Sequence, residues 1–288
     1  MSQKIYIGAV NTYNSSPLAG CINDGRGMLD LFEKNGWDVG LARVQYNDAM
    51  TNDRIRNAWD WVTAGDEKYR LIVESGHGSH RPRTPTAAMP DPTEEFLCPY
   101  DIDFKWGAPD LVTDYYIEKS LEKLPDGCKA LVFGFCCESG GRTQTTVDDA
   151  AAAVIKNPSA KVKYLRNPWE HMEAVKRQPG VPKAFIRAEE NVFEDESINY
   201  VYFAAARSDQ FSYEVSEVLE LQGPNDTRIP SSFDVSRKML CDVLTENPGL
   251  SIRKAHKEVV NRIREAYNFP QTPQLWGPKR LLDSDFFS

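Results

Sequence analysis

The sequence predicts an α/β fold with a mostly parallel sheet and helices on both faces. Three observations carry that expectation. Buried-looking strands alternate with amphipathic helical stretches through the first half. Two of those strands run directly into glycine-flanked turns rich in reactive side chains, Ser75-Gly76-His77-Gly78-Ser79 and Cys136-Cys137-Glu138-Ser139-Gly140-Gly141. The chain has 288 residues, 41% of them hydrophobic, enough for a sizeable core.

Residues 4–10 (KIYIGAV) are β-branched and aromatic and read as the first strand. After Asn14-Ser15-Ser16-Pro17, a helix is marked by Leu18, Ile22, Met28, Leu29 and Phe32, and Asn35-Gly36 suits its C-cap. A second strand is expected at about 37–44. A helix from about 51 follows, with Thr51 as N-cap and Ile55, Trp59 and Val62 on one face. Trp59 and Trp61 read as helix packing with one ring partly exposed. The third strand is Tyr69 to Glu74. Residues 80–110 are proline-rich and aperiodic, as in a long surface excursion. A helix at about 113–123 precedes the fourth strand, Lys129–Phe135.

Residues 142–198 read as an elaborated connection, broken at Asn157-Pro158 and Asn167-Pro168. A fifth strand is expected at 199–207, with helices at about 211–221, 232–246 and 251–267. His256 falls among Arg253, Lys254, Lys257 and Glu258 and reads as part of a solvated face; His80 and His171 have no evident partners.

Composition bounds the function. A net charge of -8 disfavours nucleic-acid binding. No apolar stretch reaches the length of a membrane span, and the amino terminus lacks a signal peptide's apolar core. Six cysteines without a CxxC pair suggest neither structural zinc nor a disulfide framework. The expectation is a soluble, cytoplasmic protein with free thiols.

In parallel sheets ligands bind off the carboxyl ends of the strands, so the two glycine-flanked turns can meet although 60 residues separate His77 from Cys137. A cysteine at a strand end is usually a small buried hydrophobe, and a histidine between glycines is usually a loop residue. Together they form a workable nucleophile and general acid/base pair, with backbone N–H groups beside them to bind an oxyanion.

These motifs resemble those of the metacaspases and their bacterial relatives, caspase-clan cysteine peptidases. Leu18-Ala19-Gly20-Cys21-Ile22-Asn23-Asp24 is similar to the family's Leu-x-Gly-Cys-x-Asn-Asp, and Ser75–Ser79 matches its histidine motif. Leu131–Gly140 aligns without a gap on the strand ending Asp-Ser-Cys-His-Ser-Gly. Cys98-Pro99-Tyr100-Asp101, Ala206–Gln210 and Gln271-Thr272-Pro273-Gln274-Leu275 resemble further family segments.

The resemblance implies a caspase-like fold of about six strands in a single peptidase domain. Residues 1–141 would be large-subunit-like, 142–198 connecting, and 199–288 small-subunit-like. It implies His77 and Cys137 as the catalytic pair, with the Gly78 and Cys137 N–H groups as the oxyanion site. Cys21, Asp24 and Ser75 would line a P1 pocket for arginine or lysine, with the Phe135 ring also in the pocket and able to take a cation on its face, and polypeptides would be the substrates. The segment 142–198 is either cut by the enzyme itself at a basic residue, Lys156, Lys161, Lys163, Arg166, Lys176, Arg177, Lys183 and Arg187 being the choices, or belongs to a well-packed single chain that never nicks.

One departure bears on specificity. The family's second P1 carboxylate, two residues before the cysteine, is Phe135 here. That leaves open a non-basic P1 preference, and the altered Phe135-Cys136-Cys137-Glu138 stretch leaves open a catalytically silent binding module. The chemistry needs no cofactor. The resemblance raises Ca²⁺ as an activator, with Asp101, Asp103 and Asp114, and Glu94 and Glu95 nearby, as oxygen ligands.

Overall fold

A computed structural model describes residues 2–14, 16–82, 93–102, 111–136, 160–163, 165, 190–207, 210–218, 230–267 and 271–288. Cys137, Glu138 and Asp103 lie outside the described residues.

In chain order the elements are β1 (Gln3–Ala9), α1 (Cys21–Lys34), β2 (Arg43–Tyr46), α2 (Asn52–Thr63), β3 (Tyr69–Ser75), β4 (Gly78–Pro82), β5 (Thr93–Leu97), α3 (Asp114–Leu121) and β6 (Lys129–Phe135). Then come β7 (Ala160–Val162), β8 (Glu190–Phe193), β9 (Tyr200–Ala204), β10 (Tyr213–Val218), β11 (Pro230–Asp234), α4 (Val235–Glu246), α5 (Ile252–Ala266), β12 (Gln274–Pro278) and α6 (Lys279–Leu282).

Seven strands form the central sheet in the order β2-β1-β3-β6-β9-β12-β8. Every neighbouring pair is parallel except β9 with β12. A three-stranded antiparallel sheet, β11-β10-β7, and the β4-β5 hairpin stand beside it.

Strand alternation builds two cores. Ile5, Ile7, Leu71, Val73, Leu131 and Phe133 face α1, α4 and α5. Tyr6, Ile72, Ala130, Val132 and Cys136 face the other way, against α2. Phe133 lies among the rings of Phe32, Phe135, Phe203 and Phe286, where truncating a ring to alanine typically costs about 3–5 kcal/mol. Among the described residues no helix is long and apolar enough to cross a membrane.

From β1 the chain crosses to β2 on one side and returns to β3 on the other. The segments leaving β1 and β3 therefore diverge and open a crevice at their carboxyl ends. His77 follows β3 at that crevice.

Several expectations are corrected. The strand expected at 37–44 is displaced to β2, because Asp38 accepts the Gly40 N–H in a tight turn and Trp37 packs on Phe32. The helix expected at 211–221 is strand β10; Tyr213 and Val215 alternate into the core with period two, a pattern that outweighs helical spacing over so short a stretch. The helix expected from 232 begins at Val235, after β11. Within 80–110 the structure forms the β4-β5 pairing. The sheet has seven strands rather than about six, β8 and β12 being unanticipated from periodicity.

His256 is buried rather than solvated. Its Nε2 lies 3.0 Å from the Pro273 carbonyl, and its ring meets Phe203 edge-on. Trp59 is fully buried, whereas Trp61 is half-buried with Lys4 and Arg43 near its ring.

Candidate active site

β3 ends at Ser75, and Gly76 turns the chain towards His77. A Cβ on Gly76 would lie 2.5 Å from the Tyr13 hydroxyl, so only glycine fits this approach. That hydroxyl accepts the His77 N–H at 3.0 Å and donates to the Cys98 carbonyl at 3.0 Å. The Tyr13 ring packs 4.7 Å from the imidazole. His77 is buried, with Nε2 2.6 Å from the Ser16 carbonyl. A carbonyl can only accept, so Nε2 carries the proton and Nδ1 keeps its lone pair. Nδ1 is buried with no hydrogen-bond partner among the described residues. The imidazole is thus held by a backbone carbonyl, where a carboxylate would serve in other sites.

Burial lowers the His77 pKa to about 4, and the Ser16 and Lys163 carbonyls oppose that shift. On the far face of β3, burial raises Glu74 to about 7 although its carboxylate accepts from Trp59 Nε1. The two act oppositely on stability. Between about pH 4 and 6.5 the unfolded chain binds more protons at His77, so its contribution is present at high pH and lost as pH falls. Between about pH 4.5 and 7 the folded chain binds more protons at Glu74, so that contribution is lost as pH rises. Urea unfolding at pH 4.5 and 7 tests both signs. Glu74→Gln should steepen the rise of stability with pH relative to the wild type, and His77→Gln should flatten it.

The amino terminus of α1 is pinned from outside the helix. Asn11 Oδ1 accepts the Cys21 N–H at 2.9 Å. Glu214 on β10 accepts the N–H groups of Ala19 and Gly20 at 2.9 and 2.7 Å. This holds Cys21 and Asp24 beside Ser75. Ser75 Oγ donates to Asp24 Oδ2 at 2.7 Å.

Into this pocket enters Lys163, from the connecting segment. Its Nζ donates to Ser75 Oγ at 2.8 Å and to Asp24 Oδ2 at 3.2 Å, and lies 3.3 Å from Asp234 Oδ2. Lys163, Asp24 and Asp234 are each 0% exposed. Burial pulls the Lys163 pKa down, but Cys21, Asp24, Asp234 and Glu214 together hold it well above the usual lysine value. Burial likewise pushes the Cys21 thiol up to about 12, against the pull of the Lys163 charge.

The backbone around Lys163 is equally ordered. β7 pairs antiparallel with β10. The Lys163 N–H donates to the Ser212 carbonyl at 2.9 Å, and the Lys163 carbonyl accepts the Gly78 N–H at 2.9 Å. Leu165 N–H then donates to the Gly78 carbonyl at 3.1 Å. The segment adds a strand to a sheet edge and delivers one side chain to a pocket, as extended peptides bind.

Phe135 does not face a cation. Its ring packs 5.9 Å from that of Phe133 and 6.3 Å from that of Phe203 in the core. Its carbonyl lies 3.4 Å from Ser75 Oγ. Cys136 is buried on the opposite face, and burial raises its thiol pKa far above the usual value, which suits an inert core thiol.

Of the three aspartates expected to bind calcium, Asp101 and Asp114 are described and Asp103 lies outside the described residues. Asp101 Oδ1 accepts the Asn52 N–H and Asp114 Oδ1 accepts the Tyr115 N–H. Among the described residues no group of three or more His, Cys, Asp or Glu side chains could hold a metal ion.

Sequence reasoning missed Lys163 as an occupant, Asp234 and Glu214 as pocket carboxylates, and Tyr13, Ser16 and Asn11 as supports. Asp234 before Val-Ser-Arg-Lys carried only the signal of a helix cap. The others left no trace in spacing, because they act through long-range contacts.

The Peptidase_C14 family, the caspase domain, matches residues 5–281. Metacaspase-4 of Arabidopsis thaliana is 28% identical over 145 residues, covering 48% of this chain and 33% of that protein. The chain thus spans about a third of the length of this curated relative. The solved structure of protein GSU0716 from Geobacter sulfurreducens superposes with a TM-score of 0.64 over 100% of this chain and 99% of that one, at 17% identity, and so shares the fold. With a family match along nearly its whole length and a mostly parallel sheet presenting His77 at its carboxyl edge, the chain belongs to the caspase-domain peptidases.

Proposed function

We propose that the chain is a cysteine endopeptidase that cleaves polypeptides after lysine or arginine, and that one of its substrates is its own bond after Lys163. The observation that carries this reading is the pose of Lys163: ammonium beside Asp24 and Ser75, carbonyl on the Gly78 N–H.

Cys137 is the nucleophile. Its thiol proton passes to Nδ1 of His77 as the sulfur bonds to the scissile carbonyl carbon. The oxyanion is held by the N–H groups of Gly78 and Cys137. As the tetrahedral species collapses, the C–N bond breaks and His77 returns the proton to the departing amine. Water then hydrolyses the thioester and regenerates the thiol. The neutral imidazole favoured by burial of His77 is the form that accepts the first proton. The five free cysteines among the described residues agree with a reducing compartment such as the cytoplasm.

In the uncut chain Lys163 fills the pocket that a substrate lysine would take, so cleavage both tests and opens the site. Purified protein incubated with added Ca²⁺ or with a chelator should split, and the new amino terminus should read Tyr164-Leu165. Lys163→Ala should remain a single band at that position. A wild type that cleaves basic peptides but never cuts after Lys163 would overturn the self-cleavage reading. A wild type inert towards basic, apolar and acidic peptides, with and without Ca²⁺, would favour the silent binding module.

A further inference from the structure

We propose that Asp234 is the second specificity carboxylate of this site, and that with Asp24 and Ser75 it forms a three-acceptor seat that takes a P1 lysine ahead of arginine. The inference rests on the basic-P1 reading above and narrows it. Sequence places no carboxylate at position 135, and the Phe135 ring is committed to the core. The structure supplies a second carboxylate from the junction of β11 and α4, which the chain reaches about a hundred residues later.

The seat matches an ammonium by count and by direction. Three acceptors, Ser75 Oγ, Asp24 Oδ2 and Asp234 Oδ2, lie 2.8, 3.2 and 3.3 Å from Lys163 Nζ. An ammonium has three N–H donors. Ser75 spends its own proton on Asp24, so its lone pairs face the lysine.

Each carboxylate also offers the pocket one oxygen only. Asp24 Oδ1 accepts the Asp234 N–H at 2.8 Å and Arg237 Nε at 3.1 Å. Asp234 Oδ1 caps α4 through the N–H groups of Ser236 and Arg237, at 2.9 and 3.4 Å. Asp234 Oδ2 takes the Ser212 hydroxyl at 2.6 Å. A guanidinium gains most from a planar fork onto both oxygens of one carboxylate, and here neither carboxylate has both free. The convergent point charge of an ammonium fits; the longer planar group does not.

Asp234→Asn is the discriminating change. Asparagine caps helices as well as aspartate does, so α4 is retained. With its oxygen kept on the cap, its NH₂ turns towards the pocket and faces the ammonium. Fluorogenic peptides matched except for lysine, arginine or leucine at P1 would be compared on the full-length wild type and Asp234→Asn. The wild type should favour lysine over arginine in kcat/KM by about tenfold, the factor that one charge-assisted hydrogen bond supplies. In Asp234→Asn the lysine value should fall about tenfold or more and the arginine value by less, bringing the ratio towards one. The thermal midpoint should stay close to that of the wild type.

A wild type that prefers arginine, or a ratio unchanged in Asp234→Asn, overturns the seat while leaving the peptidase reading intact. A second measurement needs no turnover. In a Cys137→Ala background, a double-mutant cycle of Lys163→Met and Asp234→Asn by urea unfolding should be clearly non-additive. Coupling without cleavage of any peptide would preserve the seat and remove the peptidase reading; additivity would remove the seat.

Discussion

Cys137→Ala lowers kcat on a lysyl peptide by about 10³- to 10⁶-fold, the range expected when one member of a nucleophile–base unit is lost. His77→Ala should match it, and the double mutant should be little worse, because the two act as one device. Cys136→Ala should keep a substantial part of the activity. Cys136 packs in the same core cluster as Tyr13 and Cys98, and burial pushes its thiol pKa up, which suits packing rather than chemistry. Steady-state kinetics of the four proteins decides the assignment. The reverse pattern, with Cys136→Ala dead and Cys137→Ala active, would remove Cys137 from the mechanism.

Asp24→Ala destabilises the uncut chain by about 3–5 kcal/mol, the usual cost of stripping a partner from buried charges. One carboxylate here accepts from Ser75, Lys163, Arg237 and the Asp234 N–H, so its removal strands two cations and two further donors. Urea unfolding in the Cys137→Ala background reads this without interference from cleavage. Adding Lys163→Met should recover part of the loss, since one stranded cation is gone. A cost below about 1 kcal/mol would mean that water already enters the pocket and that the charges are not truly buried together. On the catalytic side, Asp24→Asn, which keeps a hydrogen-bonding amide, should lose most of the preference for a basic P1 residue.

The uncut pocket also shows how charge is balanced. Asp24, Asp234 and Glu214 face Lys163 and Arg237, leaving one net negative charge when the lysine is seated. Withdrawal of Lys163 adds another negative charge and leaves a buried carboxylate with a weakened partner set. On the proposed reading, that imbalance would attract the next cationic side chain and so connect self-cleavage to substrate preference through one electrostatic quantity.

Local pattern by itself determined much of this protein. The strand–helix alternation, the glycines flanking His77 and the ends of β1, β3, β6 and α1 are properties of neighbouring residues, and short-range sterics and burial periodicity suffice to place them. Topology alone put the turn bearing His77 at the carboxyl edge of the sheet, whereas Cys21, Asp24 and Ser75 were grouped through the family resemblance and not through spacing.

Only the tertiary structure decided the rest. β10 looked helical because its alternation spans six residues and competes with a plausible helical spacing; its pairing with β7 and β11 settles it. Lys163 was one basic residue among eight, and nothing local distinguishes it. It is selected because β7 adds to β10 and so carries that one side chain to Asp24. Asp234 fell inside the helix expected at about 232–246; in the structure it caps that helix with one oxygen, and its other oxygen meets a lysine 71 residues earlier in the chain. A charge seat of this kind is fixed by the distances between separate elements, and sequence spacing does not encode those distances.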